Sequence, residues 1–226
     1  HTAADVGDEA LMLTDSGESW IGRSRPHAVE AMAAAGVDVV IMDDGHQNPS
    51  LEKTLSLVAI DSAAPFGNGY CLPKGPLREP VAGGLSRSDA VLIVGDGPIP
   101  RLVLESGKPV LRARLQPTTK APQGPLVAFA GIGRPQKFFD SLKNAGAQVA
   151  EGVGYGDHQT YSPSDLSFLS RLAEDHEARL ITTEKDFARL PSSQRDSILI
   201  WPIEAAFEDP SALDGLVAVA LQTLQS

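Results

Sequence analysis

Short apolar runs that end in Asp, Gly or Thr recur along the chain, at Val37 to Met42, Leu55 to Ile60, Ala90 to Val94, Leu126 to Ala130, Arg179 to Ile181 and Ile198 to Trp201. Their length and their turn-forming ends predict strands. Between them lie stretches with helix start and stop signals. Pro26 opens an Ala-rich stretch that ends at Gly36, Pro135 opens one that ends at Gly146, and Ser162-Pro163-Ser164-Asp165 leads into a Leu-rich run through Leu172. Alternating strands and helices predict an α/β fold with mostly parallel sheets covered on both faces. The turn-rich, polar stretch from Leu115 to Pro125 separates two such blocks, so two domains are expected, residues 1–115 and 116–226.

Composition narrows the function classes. The chain has 226 residues, enough for a large buried core, and 19 basic against 29 acidic residues leave a net charge of -10. Bulk attraction to nucleic acid is therefore not expected, and an anionic ligand must be held by a local cluster. The single Cys71 excludes an intrachain disulfide and a thiolate metal site, which makes the cytoplasm the default compartment. No window approaches the roughly 20 continuous apolar residues of a membrane span. The first residues carry neither a signal-peptide pattern nor an initiating Met, so the chain is expected to begin inside a longer reading frame.

Several constellations carry chemistry. Val39-Val40-Ile41-Met42-Asp43-Asp44-Gly45 is an apolar run that delivers two carboxylates to its carboxyl end, where α/β sheets bind ligands and nucleotide-linked Mg²⁺. An Asp-Gly turn leaving the sheet is the plainer alternative. Gly7-Asp8-Glu9 places two acids at a helix start, either to complement the helix dipole or as general base and metal ligand. Gly67 to Pro80 is a long Gly- and Pro-rich loop in which Arg78 can grip a phosphate and Lys74 act as a point charge, or Arg78 can pair with an acid such as Glu79. Asp157-His158 pairs an imidazole with a carboxylate, as an oriented acid or base or as an idle loop histidine. His1, His27, His46 and His176 have no neighbours in sequence that suggest a role. Phe129-Ala130-Gly131-Ile132-Gly133 reads as a tight turn between strand and helix, and Thr182-Thr183-Glu184-Lys185-Asp186 either lines a cleft or caps the next helix.

In order and wording these phrases, with Gly22-Arg23-Ser24-Arg25, Asp43-Asp44-Gly45-His46-Gln47 and Gly75-Pro76-Leu77-Arg78-Glu79-Pro80, resemble the tetraacyldisaccharide 4'-kinases of lipid A biosynthesis over nearly the whole chain. The resemblance implies two P-loop-kinase-related α/β domains meeting at a cleft, the first incomplete at its N-terminus. It implies ATP and Mg²⁺ as cofactors and transfer of the γ-phosphate to the 4'-hydroxyl of an acylated glucosamine disaccharide 1-phosphate, giving lipid IVA. The enzyme would work in peripheral contact with the cytoplasmic face of the inner membrane. Carried over residue by residue, Asp8 matches the catalytic acid that takes the hydroxyl proton, and His158 matches the partner that orients it across the cleft. Asp44, with Asp43 beside it and Glu9 joining, matches the metal shell. Arg25 and Arg78 match basic positions that meet phosphate, and Gln47 and Asn48 fall in the same substrate- or phosphate-binding set.

Two departures stand out. The family phrase after the double Asp ends in His, whereas this chain has Asn48, which cannot carry a proton or a positive charge. No Gly-x-x-x-x-Gly-Lys-Ser/Thr occurs in these residues. The 226 residues alone are therefore expected to bind ATP weakly and to turn over little or not at all. Alternatives are a P-loop-type phosphotransferase acting on another substrate, or a non-catalytic binding module derived from a kinase.

Overall fold

The computed structural model describes residues 6–14 and 17–223; of Asp8 and Thr223 it describes the backbone. Contacts divide the chain into two units, His1–Ile21 with Gln116–Glu204, and Gly22–Leu115 with Ala205–Ser226. Each unit is thus assembled from stretches distant in sequence, and this division departs from a continuous split at 115/116 at both ends of the chain.

The unit built on Gly22–Leu115 carries a four-stranded sheet in the order β1-β2-β3-β8, with β1 at Leu57–Asp61, β2 at Ala90–Val94, β3 at Val110–Pro117 and β8 at Ile203–Phe207. β2 pairs in parallel with both β1 and β3. Its continuous apolar sequence suits a strand covered on both faces, and Ala90, Val91 and Ile93 are fully buried. Ile60, Leu85 and Val103 complete this core, Leu85 and Val103 coming from the short helices Val81–Arg87 and Arg101–Glu105.

One predicted strand fails. Val37 to Met42 forms no strand pairing among the described residues, and Ile41 is 92% exposed. A strand exists only with a hydrogen-bonded neighbour, and on its free edge β1 has none among the described residues. The run instead lines one wall of an apolar groove of about 850 Å³, faced by Leu57, Ala59 and the Val217 and Leu221 side chains of the last helix, Pro210–Thr223.

The unit built on Gln116–Glu204 holds an all-parallel sheet in the order β5-β4-β6-β7, from Pro125–Ala130 (β4), Gln148–Gly154 (β5), Arg179–Thr183 (β6) and Ile198–Trp201 (β7). Alternate residues of β4 point to opposite faces, as the strand period requires. Val127 and Phe129 pack with Leu166, Leu169 and Ala173 of the helix Pro163–Asp175, while Leu126, Ala128 and Ala130 pack with Phe138, Phe139 and Leu142 of the helix Pro135–Asn144. Ser162 and Asp165 form a reciprocal capping box that starts the Pro163–Asp175 helix where Ser-Pro-Ser-Asp predicts it. The helix Asp8–Leu13, entered through Gly7 at φ 88°, packs on the helix Glu184–Arg189 of the same unit. Among the described residues, no helix is long and apolar enough to cross a membrane.

Candidate active site

In the Gly22–Leu115 unit, the double-acid phrase forms a tight turn in which Asp44 takes a positive φ of 48°. Gly45 follows because a Cβ there would stand 2.7 Å from the Met42 Cβ. The turn is anchored by His46. Its Nε2 meets the Gly84 carbonyl at 3.0 Å and its Nδ1 meets the Ser56 hydroxyl at 2.7 Å. A carbonyl only accepts, so Nε2 carries a proton, and His46 ties the acidic turn to the strand entry at Ser56 and to the helix Val81–Arg87. The sequence gives no hint of this role.

The long loop bearing Arg78 reaches the same turn. Arg78 Nη1 donates to both carboxylate oxygens of Asp44, at 2.8 and 2.6 Å, with both side chains more than half exposed. That contact holds the guanidinium above its ordinary pKa, through the hydrogen bond first and the charge second. Next along the chain, Glu79 accepts Arg87 Nη2 at 2.6 Å through each of its oxygens. Arg87, against the opposing effect of burial and assisted by Gln47, keeps the Glu79 carboxyl below the usual carboxylate range. Gln47, Asn48, Lys53, Arg78, Glu79 and Arg87 line one polar pocket of about 560 Å³. Asn48 Oδ1 accepts the Ser50 backbone N–H at 2.9 Å and the Ser50 hydroxyl at 2.5 Å, an Asx turn that an imidazole would not make. Lys74, read as a possible phosphate contact, lies over the Tyr70 ring at 3.7 Å.

Arg25, also in this unit, opens the helix Arg25–Ala34 and is half-buried; its Nη1 is buried without a hydrogen-bond partner among the described residues. A buried guanidinium nitrogen without an acceptor is costly, and an anion would relieve it.

In the Gln116–Glu204 unit, Asp186 is fully buried one turn into its helix. Its Oδ1 accepts the Gly131 N–H at 3.0 Å, the Tyr161 hydroxyl at 2.8 Å and Arg189 Nη1 at 3.0 Å. Its Oδ2 accepts the Thr183 hydroxyl at 2.7 Å, and that oxygen in turn caps the helix by accepting the Asp186 N–H at 3.1 Å. Capping, one of two readings open from sequence, is therefore present, and the acid also does more. Gly131 leaves room for the acid: a Cβ would stand 3.1 Å from Asp186 Oδ1 and from the Gly156 carbonyl, a tight approach. Burial, and then the Asp186 charge, push the Tyr161 phenol well above its ordinary pKa.

His158 sits beside this cluster at a positive φ of 58°. Its backbone N–H donates to the Gly131 carbonyl at 3.2 Å, its Nδ1 lies 3.4 Å from Arg189 Nη2, and its Nε2 lies 3.9 Å from Asp157 Oδ1. The backbone of Asp8 belongs to this unit too, on the helix that packs against Glu184–Arg189, and its side chain lies outside the described residues, as does His1. Glu9 pairs with Lys185 at 2.8 Å. Asp43 and Asp44 belong to the other unit.

Among the described residues no three His, Cys, Asp or Glu side chains converge on one point. Mg²⁺ is usually bound by one or two carboxylates, the rest of its shell being water and phosphate oxygens. The adjacent carboxylates of Asp43 and Asp44 fit that donor set.

Comparison with known proteins agrees with these phrases. The family model for tetraacyldisaccharide-1-P 4'-kinase matches residues 1–222. The tetraacyldisaccharide 4'-kinase of Hyphomonas neptunium is 61% identical over 218 residues, covering 96% of this chain and 66% of that protein. That of Maricaulis maris is 47% identical over 228 residues with the same coverage, so the chain spans about two thirds of these relatives. Among solved structures, LpxK from Aquifex aeolicus in complex with ATP superposes with a TM-score of 0.71 at 20% identity, over 98% of this chain and 71% of that one. The fold is shared with that protein. With the motifs in order, the sheets mostly parallel and the family model matched over residues 1–222, this protein belongs to the tetraacyldisaccharide-1-P 4'-kinase family.

Proposed function

We propose that the protein to which these residues belong transfers the γ-phosphate of ATP to the 4'-hydroxyl of an acylated glucosamine disaccharide 1-phosphate. The observation that carries this reading is Arg78 laid across both oxygens of Asp44. It joins the double-acid turn and the proline-bounded loop into one place that offers a metal-binding carboxylate and a phosphate-binding cation side by side. On nucleotide binding the pair exchanges partners, Arg78 turning to a phosphate and Asp44 to the metal.

Asp43 and Asp44 would hold Mg²⁺; Glu9, expected to join them, is paired with Lys185 in the other unit and is left out of this shell. The ion supplies neutralisation of the charge that develops on the transferring phosphate oxygens. Arg78 and Arg25 meet phosphate, the buried Nη1 of Arg25 gaining the acceptor it lacks within the protein. Gln47 and Asn48 line the pocket on the substrate side. Asp8 takes the proton of the 4'-hydroxyl as its oxygen bonds to phosphorus and the bond to the β,γ-bridging oxygen breaks, releasing ADP. His158 orients the Asp8 carboxylate. The nucleotide reading belongs to the unit of residues 22–115 and the completing role to residues 116–204. An acylated acceptor is met at a bilayer surface, so peripheral contact with the cytoplasmic face of the inner membrane belongs to the same proposal.

The test is transfer of radiolabelled phosphate from ATP, run on the 226 residues and on a chain extended to the length of the family relatives, with the lipid disaccharide and with simple sugars and nucleosides as acceptors. Label in the lipid disaccharide alone, from the extended chain, is the expected result. Label in another acceptor class would replace the substrate, and no label from the extended chain would overturn the reading.

A further inference from the structure

An arginine offers hydrogen-bond donors only, whereas a neutral imidazole has one donor and one acceptor nitrogen. The contact between Arg189 Nη2 and His158 Nδ1 at 3.4 Å therefore has one chemical sense: Nδ1 presents its lone pair and the ring proton is on Nε2. This matters only if Arg189 is fixed, and its surroundings fix it. Its Nη1 donates to the Gly131 carbonyl at 2.8 Å and to Asp186 Oδ1 at 3.0 Å, and its side chain is 6% exposed. Asp186 is itself held by the Gly131 N–H, the Tyr161 hydroxyl and the Thr183 hydroxyl. The Gly131 carbonyl that receives Arg189 also receives the backbone N–H of His158. Histidine and arginine are thus registered on a single carbonyl, and the spacing between ring and guanidinium is set by backbone as well as by side chain.

We propose that Arg189, clamped by Asp186, is a positioning residue that selects the Nε2–H tautomer of His158 and fixes the direction in which that N–H points. The inference deepens the proposed function and rests on the reading that His158 orients the Asp8 carboxylate. A carboxylate accepts and cannot donate when ionised, so the imidazole must turn a protonated nitrogen toward it. With Nδ1 engaged by Arg189, Nε2 is the nitrogen that carries the proton, and the proton remains with His158 throughout this orienting role. This is the arrangement by which a partner behind a histidine sets its tautomer and ring orientation. The Asp157 carboxylate, 3.9 Å from Nε2, favours the same tautomer from the other side of the ring and is the control.

The direct readout is the tautomer, recorded by nitrogen NMR of the histidine-labelled 226-residue chain at a pH about two units above the ordinary imidazole value of ~6.5. The His158 signals are assigned by their loss in His158→Gln. The expected wild-type spectrum shows His158 with a protonated Nε2 and an unprotonated Nδ1. Arg189→Leu is expected to release it to a mixture, Arg189→Lys to restore the wild-type pattern in part, and Asp157→Asn to leave it. A protonated Nδ1 in the wild type overturns the proposal without any variant having to fold, and so does an unchanged tautomer in a folded Arg189→Leu. An Asp157→Asn spectrum that loses the tautomer while Arg189→Leu keeps it would move the role to Asp157 and overturn it too.

In the extended chain, Arg189→Leu is expected to lower kcat on the order of tenfold with KM for both substrates held within about twofold. A loss confined to KM would refute the positioning role. Failure of the underlying reading has its own signature. His158→Gln would then leave kcat intact while the wild-type tautomer is as stated.

Discussion

Replacing Asp186 by Ala tests the clamp as a source of stability. Four donors converge on this fully buried carboxylate: the Gly131 N–H, the Tyr161 and Thr183 hydroxyls and Arg189 Nη1. The last belongs to a side chain that is 6% exposed. Removing the acid breaks a buried ion pair, a change that costs about 3–5 kcal/mol, of which Arg189 keeps a part through the Gly131 carbonyl and its other partners. The stranded Tyr161 hydroxyl and Gly131 N–H add to the cost, each unsatisfied buried group being worth about 1–3 kcal/mol. Relaxation and water entry offset some of this, and about 4 kcal/mol is a fair total, large against the ~5–15 kcal/mol of a typical domain. The reporter is built in: Trp201 is 1% exposed in the same unit. Its fluorescence in a urea titration, in a Trp20→Phe background, follows that unit alone. With a slope of about 2 kcal/mol per molar urea, the midpoint is expected to fall by ~2 M. A shift below about 0.3 M would refute the account, because the four hydrogen bonds would then be worth no more than those the unfolded chain makes to water.

Three further outcomes are expected. Gly131→Ala places a methyl group 3.1 Å from Asp186 Oδ1 and the Gly156 carbonyl and 3.3 Å from the Tyr161 hydroxyl, so the same titration should show a loss of about 1–3 kcal/mol. Tyr161 is raised by burial and by Asp186, so its native state holds the proton more tightly than the unfolded chain does. That stabilisation is complete below the unfolded pKa of about 10 and declines as pH rises beyond it; the decline should be smaller in Tyr161→Phe, as read by melts across that range. Arg78→Lys in the extended chain keeps the charge but loses the planar guanidinium, and kcat/KM should fall on the order of tenfold or more in the phosphate-transfer assay.

Much of the fold is legible in the sequence because its central strands are buried on both faces. β2, β4 and β6 read as apolar runs, as does the edge strand β7, and the helices Pro135–Asn144 and Pro163–Asp175 begin at their prolines. β5 and β3 escape notice for the opposite reason: Gln148–Gly154 is a half-exposed edge strand interrupted by Glu151, and Val110–Pro117 carries Arg112 and Arg114. Val37 to Met42 misleads because a strand is a property of a pair, and an apolar run states only half of it. At the candidate site, the acids and arginines announce themselves by type. The clamp does not, since Asp186 meets Tyr161 and Gly131 across 25 and 55 residues of chain. The spacing of Asp186 and Arg189, three apart on one helix, was the available signal. His46 gave none, because its partners Ser56 and Gly84 come from other elements.

Among the described residues, the edge of β1 away from β2 has no strand partner. An edge strand next to an apolar run with Ile41 and Val39 exposed is a template for pairing with another copy. What opposes such pairing in dilute neutral solution is mutual repulsion between copies that each carry a net charge of -10. That repulsion vanishes near the isoelectric point of about 4.9, and salt shortens its range to roughly 10 Å at 0.1 M. Mild acid and high ionic strength, often chosen to keep proteins quiet, are the conditions under which two copies should associate edge to edge.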